Sequence, residues 1–313
     1  MKQITLIIIA LLVASCTGGP GFRPVPITIT GTQALTLGFV ESAPPPSVKE
    51  GQTFPIYIDV RNNGGSDIET GYYRILGNDP SLLRISPLAG TYSLIGRSTS
   101  NPQGDRSVLQ LTGKVGTLGD QQHRMSAPFV VQFCYSYTTI ASSEVCIDTD
   151  YLGMRQEKKV CTPNIIRMSG GQGGPVGVIE IQTLKALPPE ATVSDKVIPR
   201  FIIKIRKLAK GEIIDADQVA EYCAGNTQNV DHNVLTPSVS LSDIPLTCSI
   251  GSEEATDLLK GQEVQGEGGT ILELHCSLEQ GVPTRAGTYL GALSVHLDYG
   301  YVEQLPRTIE ITR

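Results

Sequence analysis

Apolar residues alternate with polar ones along most of the chain, in short runs separated by glycine, proline, asparagine and aspartate. Ile56, Ile58 and Val60 occupy every second position of one such run. A period of two places the apolar side chains on one face of a β-strand, where they can be buried. The runs are rich in Val, Ile, Thr and Tyr, which favour strands. The pattern therefore predicts an all-β protein.

One segment departs from this alternation and predicts a helix. Ser252–Gly261 begins with a serine that could cap a helix, has acidic residues in its first turn and ends with a glycine. No other segment shows these start and stop signals together, so we expect strands elsewhere.

The chain contains an internal repeat. Val131–Tyr137 (VQFCYSY) matches Val295–Tyr301 (VHLDYGY), 164 residues later, and the match continues without a gap to Ile147 and Ile311. Each copy is expected to form a strand with a Tyr-x-Tyr pair, a turn near Ile140 or its equivalent, and a second strand. Earlier matched runs are about 145 residues apart, so the second copy contains about twenty additional residues, which we place near 212–268.

The first sixteen residues differ from the rest. Lys2 is the only charged residue in Met1–Cys16, Ile4–Leu12 is almost wholly apolar, and Val-Ala-Ser-Cys follows. A charged start, a short apolar stretch and small residues are typical of a secretory signal. A spanning helix needs roughly 20 apolar residues, more than this stretch offers. An uncleaved anchor helix and a plain secreted protein remain alternatives.

The cysteine at the end of this segment resembles the lipobox of prokaryotic lipoproteins, since Cys16 directly follows Ala14-Ser15. The resemblance implies cleavage before Cys16, acylation of its sulfur, and a mature chain tethered to membrane lipid outside the cytoplasm.

These features predict the domain organisation. Two tandem immunoglobulin-like β-sandwiches account for the repeat and for the many short strands. The predicted parts are a signal peptide (1–15), a lipid-anchored flexible stalk (16–26), a first sandwich (27–152) and a second sandwich (153–313) with the insertion near 212–268. The boundary follows from charged residues that interrupt the strand pattern after residue 152.

The charge distribution argues against nucleic acid as a partner. The formal net charge is −6, and no cluster of Lys and Arg could neutralise a run of phosphates. The densest basic stretch, Lys204–Lys207, alternates with an apolar residue, as on the solvent-facing side of a strand.

An even number of cysteines remains after Cys16, which predicts disulfides in an exported chain. The second copy of the repeat has Asp298 and Glu310 where the first has Cys134 and Cys146. Because both cysteines are absent together, we expect a Cys134–Cys146 bond across the predicted hairpin. The other four are assigned as Cys248–Cys276 and Cys161–Cys223. The scattered histidines and the lack of a CxxC pair predict no metal site and no cofactor.

Two family resemblances support this architecture. Ile58–Gly65 (IDVRNNGG) resembles the strand and turn of CARDB-like, immunoglobulin-like adhesion modules. Cys134–Thr139, Val145–Asp148, Val160-Cys161 and Ser169–Val176 resemble segments of uncharacterised surface lipoproteins of small-genome archaea, over roughly residues 130–180. The resemblances imply tandem β-sandwiches at the cell surface and no known active site.

Motifs that carry chemistry are few. Gly170–Gly174 lacks the Lys-Ser/Thr of a phosphate loop, so a linker or β-bulge is the simpler interpretation. The acidic pair Glu253/Glu254 is expected to face solvent. Asp148/Asp150 and Asp215/Asp217 are short acidic pairs that could collect oxygen ligands for calcium, although neither completes a set.

Tyrosine pairs are the candidate binding face, and Tyr72-Tyr73 is the first of them. Tyr135 and Tyr137 share one face of a strand, and Tyr299 and Tyr301 repeat the spacing. They could form an aromatic platform for protein or glycan, or they could brace the sandwich from within.

Three functional hypotheses follow. The first is a lipid-anchored, extracytoplasmic surface protein that acts without catalysis as a binding, adhesion or spacer module, with a protein or glycan partner. The second is a structural subunit of a surface filament or envelope layer that self-associates through strand edges. The third is an extracellular hydrolase whose site, with His232, lies in the insertion of the second sandwich.

Overall fold

The computed structural model describes residues 29–156, 158–189, 195–250, 253–254 and 272–313. These residues form an all-β protein, as predicted, with one short α-helix, α1 (Val219–Ala224), and three short 3-10 helices, Ala216–Gln218, Thr227–Asn229 and Thr284–Ala286. The predicted signal peptide, Cys16 and the predicted stalk lie outside the described residues. So does most of the predicted helix Ser252–Gly261, whose two described residues, Glu253–Glu254, form a strand.

Nineteen strands are present in the described residues. In the first half they are β1 (Leu35–Phe39), β2 (Ser47–Lys49), β3 (Thr53–Asn62), β4 (Ile68–Leu76), β5 (Leu83–Ser86), β6 (Ala89–Leu94), β7 (Arg106–Val115) and β8 (Arg124–Asp148). In the second half they are β9 (Ile165–Arg167), β10 (Val176–Leu187), β11 (Lys196–Lys207), β12 (Glu212–Ile214), β13 (Thr236–Leu241), β14 (Ile244–Pro245), β15 (Thr247–Ile250), β16 (Glu253–Glu254), β17 (Leu272–Ser277), β18 (Val282–Pro283) and β19 (Thr288–Thr312).

The strands form three sheets. A four-stranded sheet has the order β1-β3-β7-β5 and a seven-stranded sheet the order β16-β15-β17-β11-β10-β9, with β18 on β11. The eight-stranded sheet has the order β14-β13-β19-β8-β4-β6, and β12 and β2 also pair with β19. One continuous hydrophobic core joins the inner faces of all three sheets.

Alternation along β3 shows how the sequence determines this core. Phe54, Ile56, Ile58 and Val60 are buried, and the residues between them are partly or fully exposed. The strand therefore turns one apolar face inward, as its period of two predicts. The expected burial of Ile56, Ile58 and Val60 is confirmed.

Two strands dominate the molecule. β8 and β19 are 25 residues each and pair antiparallel over their full length. The predicted hairpins are therefore wrong, because Ile140 lies inside β8, opposite His296. Thr138–Ser143 contains no glycine, proline, asparagine or aspartate that would turn the chain, so the strand continues.

This pairing bears on the predicted domains. β8 belongs to the first half of the chain, yet it pairs with β19 and also contacts β10, both in the second half. The halves thus share one sheet, and the division into two sandwiches at residues 152 and 153 stays a prediction. In the part of the chain that the structure describes, no helix has the length and apolar character needed to cross a bilayer.

Candidate functional site

The four tyrosines of the repeat lie together at the centre of the long strand pair. Tyr135 is opposite Tyr301 and Tyr137 is opposite Tyr299, with ring centroids 5.9 and 6.2 Å apart. None is more than 4% exposed. For these four tyrosines the binding-face alternative is therefore wrong and the bracing alternative is right, because the rings point into the core and brace the two strands.

The tyrosine hydroxyls connect distant parts of the chain. Tyr137 Oη donates to the carbonyl oxygen of Gly173 at 2.7 Å, and Tyr299 Oη shares a 2.7 Å hydrogen bond with Thr139 Oγ1. Burial raises the pKa of both tyrosines, in Tyr137 to about 12. The hydroxyls therefore stay protonated and act as fixed hydrogen-bonding groups.

One carboxyl group lies beside this cluster. Tyr135 Oη donates to Glu303 Oε1 at 2.5 Å. Burial raises the pKa of Glu303 to about 7, although the Tyr135 hydrogen bond opposes the rise. The hydroxyls of Tyr92 and Tyr301 are buried and have no hydrogen-bond partner among the described residues. Glu303 is thus a partly buried carboxyl group between the tyrosine cluster and a cavity that it lines together with Lys210 and Glu212.

The opposite, outer face of the same strands forms an open groove of about 460 Å³. We call it the acidic groove. Its floor is the centre of β8 and β19, one wall is β4 with the residues before it, and the other wall is the start of α1 and the turn before it. The lining residues are Asp67, Glu69, Thr70, Tyr72, Ser136, Tyr137, Thr138, Ala216, Asp217, Val219, Ala220 and Asp298.

Both halves of the chain contribute acid to this groove. Asp67 and Glu69 come from the first half, and Asp217 and Asp298 from the second, whereas its described lining contains no basic side chain. Four carboxylates in one open groove attract cations from solution. No sequence motif indicates this set, because the register of β4, β8 and β19 and the position of the turn before α1 bring the residues together.

Hydrogen bonds hold the polar groups of the groove in place. Asp67 Oδ1 accepts from the Gly96 N–H at 2.7 Å, and Ser136 Oγ donates to the Ala216 carbonyl at 2.8 Å. Thr138 Oγ1 donates to Asp298 Oδ1. The floor is therefore ordered before any partner arrives.

A disulfide and an apolar cluster fix the wall formed by α1. Cys134 on β8 is bonded to Cys223 on α1, and Val219, Tyr222 and Val302 pack around the bond. The helix ends at Gly225, which has a φ of 111° and donates its N–H to carbonyls of the last turn. A glycine suits this left-handed position because it has no Cβ to clash.

The other two disulfides complete a pattern that differs in part from the prediction. Cys146 bonds Cys161, and Cys248 bonds Cys276. Cys248–Cys276 agrees with the prediction, whereas Cys134–Cys146 and Cys161–Cys223 are wrong. Cys134 and Cys146 lie on one continuous strand, about 40 Å apart at 3.3 Å per residue, far beyond disulfide reach.

The remaining candidate residues make local contacts. Asp148 and Asp150 both approach Lys159 Nζ, at 2.6 and 3.8 Å, and Asp215 Oδ1 accepts from the Asp217 N–H. No group of three or more His, Cys, Asp or Glu side chains within the described ranges is placed to hold a metal ion.

His232 also falls short of the deep cluster that a hydrolase site would need. Its Nδ1 lies 2.6 Å from Glu212 Oε1, and Tyr222 Oη donates to Glu212 Oε2 at 2.6 Å. The His232 and Glu212 side chains are about two-fifths exposed, at 40% and 43%. They form a surface pair, and although Glu212 also lines an open cavity of about 460 Å³, His232 is not among the residues that line it.

Comparison with known proteins adds no relative: no protein-family model matches the chain, and no curated protein is similar to it. The described residues define the class of a disulfide-bonded, all-β protein.

Proposed function

We propose that the chain is a non-catalytic surface protein, anchored by a lipid on Cys16 outside the cytoplasm, that binds a positively charged partner in the acidic groove. The observation that carries the proposal is the groove itself, with four carboxylates on its floor and walls. Complementary charge favours a protein segment rich in Lys and Arg as the partner.

Two independent features support the proposed compartment. Disulfides persist in oxidising surroundings such as the cell exterior, and six cysteines of the described chain are bonded in three pairs. The lipobox-like sequence before Cys16 is an export and anchoring signal of the same compartment. Together they support an extracytoplasmic, membrane-tethered protein.

The binding part of the proposal is tested with a tetralysine peptide as the probe. We expect the double variant Asp67→Asn/Glu69→Gln to bind it several-fold more weakly than the unmodified protein, and salt to weaken the unmodified complex. The matched control, Glu41→Gln/Glu144→Gln, removes two exposed charges outside the groove and should bind nearly as well as the unmodified protein. Calorimetric titration measures all three. An equal loss of peptide affinity in both variants would attribute the effect to net charge and refute binding in the acidic groove.

The anchoring part is tested by the intact mass of the protein extracted from its membrane. The expected species begins at Cys16 and carries acyl mass. An unmodified Cys16 would remove the lipid anchor from the proposal.

A further inference from the structure

An open strand edge runs along the C-terminal half of β8. β4 pairs with residues 130–135 of β8, whereas residues 139–145 pair with β19 alone within the described ranges. Main-chain groups of successive residues in a strand point to opposite sides. The Thr138 carbonyl accepts from Ser66 Oγ, just before β4, and so points away from β19. The residues that follow it in the same direction, with no hydrogen bond from another described residue to their main-chain groups, are Ile140, Ser142 and Glu144.

The space between this edge and β9 is a single groove, which we call the edge groove. Two cavities of about 410 and 530 Å³ lie along it, and Ser143 and Ile166 line both. The groove offers apolar contacts, because Ile140 is 47% exposed and Ile166 and Met168 are only partly covered by the core. An extended segment in this groove gains main-chain hydrogen bonds and apolar contacts together.

The described part of the chain starts at this groove. Ile29 and Thr30 line the larger of the two cavities. The Ile29 side chain lies against two glycines, since a Cβ added at Gly173 or Gly65 would come within 2.4 or 3.0 Å of Ile29 Cγ2. Arg97 Nη2 donates to the Thr30 carbonyl. These contacts fix the point at which the preceding residues leave the groove wall.

The preceding residues have one direction in which to fill the edge groove. Ile29 contacts Gly65. The next residue, Ser66, bonds Thr138, so Ile29 lies near the Thr138 end of the edge. The smaller cavity reaches Cys146 at the other end. A segment that starts at Ile29 and follows the edge toward Cys146 runs antiparallel to β8.

The sequence before Ile29 favours an extended segment. Val25, Ile27 and Ile29 occupy every second position and alternate with Pro26 and Thr28. Side chains at every second position of an extended segment share one face. A proline fixes its own φ and restricts the residue before it to extended conformations, so ordering this segment costs less entropy than ordering a flexible one.

The length of this segment also matches the open edge. Residues 24–28 are five residues, which span roughly 17 Å when extended, and the edge from Ile140 to Glu144 is roughly 13 Å long. Proline lacks an N–H but keeps its carbonyl oxygen. Every second carbonyl of the segment can therefore accept from an outward N–H of β8.

We propose that residues 24–28 of this same chain occupy the edge groove as an extended segment antiparallel to β8. Ile29 faces Gly173 across the core side of the groove, so Val25 and Ile27, which share its face, point to the same side and pack against Ile166. The open edge of the sheet is thus covered by the chain's own N-terminal segment.

The docked segment also orients the molecule, a consequence that rests on the proposed lipid anchor. With residues 24–28 in the groove, residues 17–23 alone separate Cys16 from it. The distance from Cys16 to the start of the docked segment is then at most about 30 Å. The lipid therefore holds the edge groove close to the membrane, and the flexible part of the predicted stalk ends before residue 24.

Nuclear magnetic resonance of the oxidised, full-length protein tests the docking. Methyl groups of Val25 and Ile27 should show nuclear Overhauser contacts with those of Ile166 and Met168. The outward amides of β8 should exchange slowly with solvent. Absence of these methyl contacts from the unmodified protein would overturn the proposal whether or not any variant folds.

A pair of double variants gives the matched comparison. Val25→Asp/Ile27→Asp places two charges against the apolar groove, so the outward amides of β8 should exchange about tenfold faster or more. Gly19→Asp/Gly21→Asp adds the same charges at the same spacing before the proposed segment, and exchange should stay within about twofold of the unmodified protein. Equal exchange rates in the two variants would refute the docking.

A mixture of two differently labelled samples identifies the copy that supplies the segment. Methyl contacts within one chain are expected, and contacts that arise only between differently labelled chains would assign the edge groove to a second copy and overturn the proposal. Peptide binding to the acidic groove and the mass of the anchored chain do not depend on these residues. Failure of the docking is therefore distinguishable from failure of the proposed function.

Discussion

Ser136 on β8 lies opposite Gly300 on β19, and the same two residues are equivalent in the sequence repeat, 164 positions apart. The ends of the two strands show the same offset. Two equivalent strands that pair antiparallel about one point are related by a twofold axis through that point. The tyrosine cluster surrounds this pseudo-symmetry axis.

The hydroxyl of Tyr299 stabilises the fold. Tyr299→Phe leaves Thr139 Oγ1 without its 2.7 Å partner and removes an acceptor 3.4 Å from the Val176 N–H. We expect the free energy of unfolding to fall by about 1–3 kcal/mol in urea titration. Tyr57→Phe, at a partly exposed position, is the control and should change it little. Equal losses would contradict the role of the buried hydroxyl.

Glu303 makes stability depend on pH. Its pKa, raised by burial from 4.5 to about 7, means that the folded chain holds the proton more tightly than the unfolded chain. The resulting stabilisation is fully present below pH 4.5 and is lost as the pH rises through about 7. The free energy of unfolding should fall by on the order of 3 kcal/mol across this window.

Glu303→Gln tests this assignment by removing the titration while keeping an acceptor for Tyr135. Its unfolding free energy, measured in urea between pH 5 and pH 8, should lose most of that slope. Glu144→Gln, which is exposed, should keep it. If Glu303→Gln kept the full pH dependence of the unfolding free energy, another group would be responsible for it.

The disulfides should contribute unequally to the free energy of unfolding. Cys134–Cys223 closes 89 residues and Cys248–Cys276 closes 28. Since longer loops lose more entropy on closure, Cys134→Ala/Cys223→Ala should cost about 4–5 kcal/mol and Cys248→Ala/Cys276→Ala about 3–4 kcal/mol. Urea unfolding of both variants measures the difference, and non-reduced peptide mass spectrometry checks the three pairings. The reverse order of stability would contradict the loop argument.

Two glycines provide a matched pair of substitutions. A Cβ at Gly64 would overlap Tyr137 Oη and the Gly173 carbonyl, which lie against it, whereas a Cβ at Gly38 would meet nothing within 4 Å. Gly64→Ala should destabilise the fold by roughly 1–3 kcal/mol. Gly38→Ala should stay within about 0.5 kcal/mol of the unmodified protein. Thermal unfolding compares them, and equal melting temperatures would refute the close contact.

The sequence predicted what depends on local pattern. Alternation identified β3 and the inward residues Ile56, Ile58 and Val60. Cys248 and Cys276 were paired correctly, and they are direct cross-strand neighbours in β15 and β17. Such relationships involve one strand or two adjacent ones, so the period of two is enough to find them.

The contacts between residues far apart in the chain could not be predicted from the sequence. The repeat around Tyr135 was detected, but the same residues fit a hairpin or one long strand paired with its equivalent, and the alternation is identical in both. The partner of Cys134 depends on where α1 docks, and the acidic groove depends on the register that brings Asp67 beside Asp298. No pattern within a short stretch of sequence indicates either the Cys134 partner or the acidic groove.

In a homodimer, every substitution occurs in both subunits, at both members of a twofold-related pair. Here both members lie in one chain, so each can be substituted alone. Cys134 and Asp298 occupy equivalent positions of the repeat. The first is sealed beneath α1 by its bond to Cys223, and the second lines the acidic groove. Two equivalent positions of one chain thus serve different purposes, one internal cohesion and the other contact with the outside.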